Sequence, residues 1–231
     1  MIIITPMADA PSSPARLRLL QLVSPALPIG GFTYSQGLEW AVEYGAVRDT
    51  ATLADWMQGL MEDSLAYLDI PILKRLYQAF EAGDNDAVRR WSALLVAARE
   101  SKELRQEELN RARALASLLP ELGLPDADKA LLQTSQSAGF ACAAQAWGIP
   151  LDEAAHGFAW SWLENQIAAA IKLVPLGQTE GQRVQFELAE HLPAAIATGM
   201  AIEDTDIGAS SPALAMASAL HETQYTRLFR S

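Results

Sequence analysis

Apolar residues recur along this chain at three- and four-residue intervals, and the stretches that do so are bounded by proline, glycine or a capping side chain. Residues 16–23 repeat leucine at Leu19, Leu20 and Leu22, which predicts a short first helix stopped at Ser24-Pro25. Two prolines and Gly30-Gly31 then predict a non-helical corner over 26–31. Helical spacing resumes at Leu38, Trp40 and Val42, with Thr33 or Ser35 as caps and Gly45 as a stop.

The pattern persists downstream. Leu53, Trp56, Met57, Leu60, Ser64 and Leu68 share one stripe over 52–68. Asp69 reads as the cap of a new helix with Pro71 in its first turn, an apolar face of Ile70, Leu73, Leu76, Tyr77 and Phe80, and a stop at Gly83. Asp84 or Asn85 opens the next helix, on the stripe Val88, Trp91, Leu95 and Ala98. Charges of both signs dominate 99–113, which reads as a solvated helix face before Leu115 and Leu119 resume the core side. After a loop over 121–128, the small-residue stripe Leu131, Ser135, Ala138, Cys142 and Ala146 predicts a central helix that a neighbour can approach closely.

Residues 151–174 are apolar on more than one side, as expected of a helix buried in a bundle. Pro175-Leu176-Gly177 ends that helix, and a last regular helix over 179–198 is kinked or split at Pro193. Beyond Gly199 the periodicity is weak, so the remaining residues are expected to be mobile alone and ordered against something else. No alternating β-branched run of useful length occurs. The reading is an all-α, single-domain bundle of about eight to ten helices, with a flexible lead-in at 1–14, a helical domain at 15–200 and a partner-ordered tail at 201–231.

Composition narrows function by exclusion. The 231 residues are half hydrophobic, enough for a substantial core, and a formal charge of −11 argues against nucleic acid as a partner. One cysteine, Cys142, excludes an intrachain disulfide and suits a reducing compartment; its apolar stripe predicts an inert thiol. The apolar stretch 167–171 is far short of a membrane span. His156, His191 and His221 lie on separate segments without a metal-ligand spacing. Glu107-Glu108 and Asp204/Asp206 sit in contexts where an ordinary solvated carboxylate is the default. The Gly-Gly corner lacks the lysine and spacing of a phosphate loop. Nothing forms a catalytic acid/base pair.

Four ordered blocks carry a resemblance. Leu27-Pro28-Ile29-Gly30-Gly31-Phe32 with Tyr34-Ser35-x-Gly37-Leu38-Glu39, then Arg99, Ser101 and Glu103-Leu104-Arg105, then residues 170–178 from Ala170 through Lys172 to Gln178, and finally His221-Glu222 with Arg227-Leu228-Phe229 are similar to the UreF family of urease accessory proteins. The chain departs from that pattern at Ala112, where the family has a glycine. The resemblance implies a cytoplasmic helical scaffold without catalytic residues or cofactor, forming a homodimer and acting in nickel delivery to apo-urease. It also implies two protein partners, UreD (also called UreH) and the GTPase UreG. On this basis Lys172 would face the GTPase, Arg227, Leu228 and Phe229 would belong to a tail ordered on the UreD-like partner, and Tyr34, Glu39, Arg105 and Gln178 complete the partner-binding candidates. Two readings stay open: a pure scaffold, or a modulator of GTP hydrolysis in trans through Lys172 or Arg105. The sequence leaves open whether Tyr34 and Glu39 face core or partner.

Overall fold

A computed structural model describes residues 13–208 and 211–231. Most of the expected lead-in lies outside the described residues, and Ser13 and Pro14 already belong to helix α1 (Ser13–Leu22). Regular structure among the described residues is entirely helical. It continues through α2 (Leu38–Glu43), α3 (Thr50–Leu60), α4 (Ile70–Ala82), α5 (Asn85–Ala98), α6 (Lys102–Leu118) and α7 (Lys129–Leu132). After these come α8 (Gln136–Ala146), α9 (Leu151–Leu173), α10 (Gln178–Ala189), α11 (Leu192–Ala201) and α12 (Pro212–His221). The all-α expectation holds.

The hub is α4, whose Ile70, Ile72, Leu73 and Leu76 are fully buried among α5, α8, α9 and α11. Asp69 does not cap it. The residue is helical (φ −69°, ψ −50°) and makes no capping bond, because α3 and α4 are joined without a break by a π-helical stretch, Met61–Asp69. Pro71 explains the wider winding: it brings no N–H to the carbonyl four residues earlier and its ring crowds that carbonyl. That carbonyl, on Tyr67, instead accepts the N–H of Gly208 at 3.0 Å. Helix α11 lies against the same stretch through Gly199, where a Cβ would stand 2.7 Å from Ile70 and 2.9 Å from the Ala66 carbonyl oxygen.

Helix α8 is central, as its small residues predict, but it starts later than the stripe suggested. Ser135 is its N-cap, accepting the Ala138 N–H at 3.0 Å, and Leu131 belongs to the separate turn α7, capped by Asp128. The chain does split between α10 and α11, with Pro193 in the first turn of α11. The principal difference concerns residues 201–231, which contain a further helix. The buried face of α12 is Leu214, Ala217, Ser218 and His221. This is helical spacing, but half of it is polar, so a count of apolar residues misses it.

Candidate functional site

Helix α12 crosses α2 and α6, and the chain then returns along the corner that precedes α2. Gly37 makes the crossing possible: its φ is +79°, and a Cβ there would lie 2.9 Å from the Ser218 amide nitrogen. Beyond α12, Arg230 N–H donates to the Thr33 carbonyl at 2.9 Å and Ser35 N–H donates to the Ser231 carbonyl at 2.6 Å.

Glu39, 7% exposed, organises this dock. Its carboxylate accepts the backbone N–H groups of Leu228 at 2.6 Å and Phe229 at 2.8 Å, and lies 3.1 Å from His221 Nε2. His221 is completely buried, and its Nδ1 is 2.6 Å from Glu103 Oε2. Glu103 also accepts from the Arg227 guanidinium. Helices α2, α6 and α12 and the closing segment therefore converge on one imidazole and two carboxylates.

A second polar cluster lies deeper. Gln36 has a left-handed backbone (φ 53°). Its side-chain carbonyl accepts Trp162 Nε1–H at 3.0 Å and Gln166 Nε2–H at 3.1 Å, while its own amide donates to Glu107 at 2.9 Å. Arg99 bridges Asp69 and Glu108, with all three side chains largely buried. Glu108 also accepts the Gln136 N–H at 2.8 Å, which places its charge at the positive end of α8. Gln36, Arg99, Glu107 and Glu108 border a cavity of about 40 Å³ that Leu60, Leu104 and Phe158 also line.

The solvated-face reading of 99–113 is therefore corrected, and with it the exposed context expected of Glu107 and Glu108, both of which are buried. Burial raises the Glu107 carboxyl above its ordinary range, against the pull of Arg111 and the Gln36 hydrogen bond. Burial also opposes charge on Arg99, but Asp69 and Glu108 outweigh it and hold the guanidinium above its usual range. Leu104, Glu108, Ala112 and Leu115 share helical spacing and all are buried. Glu108 thus stands in an apolar stripe, and that position was the available signal for its burial. Ala112 fits fully buried where a glycine was expected.

The proposed partner-binding residues divide. Tyr34 is buried, with its hydroxyl 3.3 Å from Asn110 Nδ2, and together with Glu39 it faces inward. Arg105 donates to the Arg99 carbonyl at 2.7 Å. Lys172 is exposed on the last turn of α9, its ammonium 5.6 Å from the centre of the Phe229 ring. Phe229 is 6% exposed, whereas Leu228 beside it is 64% exposed. Gln178 is exposed at the start of α10, and Arg227 is exposed beside Glu103. The closing segment, expected to be mobile until a partner orders it, is seated here on its own chain. Gln36, Arg99, Glu103 and His221 were not singled out for these roles. Their pairings join residues far apart in sequence, which no local pattern announces.

Cys142 is partly buried on α8, and burial pushes its thiol up to about 11, which leaves it a poor nucleophile at neutral pH. Among the described residues no group of three or more His, Cys, Asp or Glu side chains is placed to hold a metal ion. No helix among them is long and apolar enough to cross a membrane.

Fold and site together define a helical bundle with an ion-paired interior and a closing segment docked on its own second helix. The UreF family model matches residues 47–189. Proteins named urease accessory protein UreF are 53% identical over 219 residues in Pseudomonas putida, 49% over 226 residues in Alcanivorax borkumensis and 47% over 218 residues in Klebsiella pneumoniae. Each alignment covers 94% of this chain and 97% or 98% of the relative. The chain belongs to the UreF family of urease accessory proteins.

Proposed function

We propose that this chain is a non-catalytic scaffold in urease maturation, bridging a UreD (UreH) accessory protein and the GTPase UreG during GTP-dependent insertion of nickel, the cargo, into apo-urease. The observation that carries the reading is the meeting of Lys172 and Phe229 at 5.6 Å. It makes the inferred GTPase-facing end of α9 and the inferred UreD-facing segment one continuous surface. Leu228, exposed at its edge, is the apolar contact available to an incoming protein. The same reading has the chain working as a cytoplasmic homodimer, with no cofactor of its own.

Modulation of GTP hydrolysis in trans is the weaker alternative. A stimulating finger extends a free cation into another protein's active site. Here Lys172 lies against Phe229, and Arg105 is bonded to the Arg99 carbonyl.

Co-purification of the full chain with UreD and UreG, paired with single-turnover GTP hydrolysis in the assembled complex, tests the proposal. Leu228→Glu, at an exposed position, is expected to abolish UreD capture, and Lys172→Ala to weaken UreG capture without changing hydrolysis once the complex is saturated. Undiminished capture by both variants would refute the bridge. A changed hydrolysis rate at saturation would favour the modulator.

A further inference from the structure

His221 has a carboxylate oxygen at each ring nitrogen, Glu103 Oε2 at 2.6 Å from Nδ1 and Glu39 Oε2 at 3.1 Å from Nε2. A carboxylate only accepts, so both contacts are hydrogen bonds only when a proton lies on each. A neutral imidazole carries one proton and would set a nitrogen lone pair against a carboxylate lone pair. The second proton could reside on a glutamate, but the surroundings oppose it. Glu39 already accepts two backbone N–H groups, and Glu103 already accepts from the Arg227 guanidinium, so both carboxylates are engaged as acceptors.

The remaining neighbours leave that balance unchanged. From α6, the backbone N–H groups of Lys102 and Glu103 are taken up by Glu222, the residue after His221. From α9, Lys172 reaches the ring of Phe229. From the corner, Ser35 contributes a neutral hydroxyl near the Glu39 amide.

We propose that His221 is held as an imidazolium between Glu39 and Glu103, and that its charge latches residues 227–231 onto the bundle. Glu39 supplies the link, because the carboxylate that His221 orients is the one gripping the Leu228 and Phe229 amides. Loss of the imidazolium proton leaves two carboxylates, Glu39 buried and Glu103 partly so, facing an uncharged ring, and the grip loosens. Docking of the segment therefore weakens when that proton is lost. His221 acts as a positioning residue, and its effect reaches the segment through Glu39.

The test uses the full chain carrying His156→Gln and His191→Gln, two exposed positions, so that His221 is the sole histidine. Imidazole nitrogen chemical shifts report its protonation across pH, and amide hydrogen exchange reports the docking of Leu228 and Phe229. The expected result is both ring nitrogens protonated while the segment is docked, with protection of the two amides falling as the second proton leaves. With His221→Gln, protection at these amides should fall roughly tenfold or more, the scale of one charge-assisted hydrogen bond, and lose its pH dependence. Amides of α4 serve as the folding control. A neutral imidazole with both amides fully protected would overturn the proposal, as would protection in His221→Gln that still tracked pH.

Discussion

The ammonium of Lys172 stands 5.6 Å from the centre of the Phe229 ring, joining the last turn of α9 to a segment more than fifty residues further along the chain. Lys172 is exposed and Phe229 is buried. Together they show that residues 227–231 dock against the bundle through a buried ring as well as through backbone bonds.

Replacing Phe229 by alanine should therefore open residues 227–231 locally, with amide protection lost there and kept in α4. A double-mutant cycle with Lys172→Ala should return a coupling of about 0.5–1 kcal/mol, the usual worth of an exposed cation–π contact. A coupling of zero in exchange-derived free energies would mean that the two groups are adjacent without interacting.

Arg99 is the heaviest single commitment in the interior. Truncation to methionine leaves Asp69 and Glu108 buried without their shared cation, and breaking such a pair costs about 3–5 kcal/mol. Urea unfolding should show a lower midpoint with an unchanged slope. The double variant Arg99→Met/Asp69→Asn should recover part of the loss, because one of the stranded charges is gone.

Glu107 gives stability a pH dependence of defined sign. Its carboxyl is raised in the folded state, so the folded chain holds that proton more tightly than the unfolded chain. The contribution of Glu107 to stability thus falls as pH rises from the ordinary carboxylate range through its folded value, and stays level above it. Relative to wild type, Glu107→Gln should gain stability with rising pH across that window, measured by unfolding at several pH values. A variant that instead lost stability relative to wild type as pH rose would show that Arg111 and Gln36 outweigh burial.

Gln36 combines an unfavourable backbone with three hydrogen bonds. Both Gln36→Ala and Gln36→Gly strand the Trp162 indole N–H and the Gln166 amide, at about 1–3 kcal/mol for each buried orphan. Only alanine retains the left-handed strain. The glycine variant should therefore be the more stable of the two by about 1 kcal/mol in thermal or urea unfolding.

Much of the bundle was legible because helical spacing and punctuation are local. Gly83, Asp84 and Pro193 end, cap or divide helices in this structure as their chemistry dictates. Asp69 misled for an equally local reason. An acidic residue two positions before proline is what a helix start looks like, and the π-helical winding that absorbs Pro71 depends on Gly208 reaching Tyr67 from another part of the chain.

The sequence by itself determined an all-helical bundle, its main breaks and, through four ordered blocks, its family, because these depend on residues close together along the chain. Tertiary structure alone decided that Arg99 and Glu107 are interior groups, that Glu39 faces a segment of its own chain, and that His221 lies between two carboxylates. Burial of a charge becomes tolerable only when a partner from a distant segment arrives to share it. Such partners are set by how the helices pack, which no local spacing records.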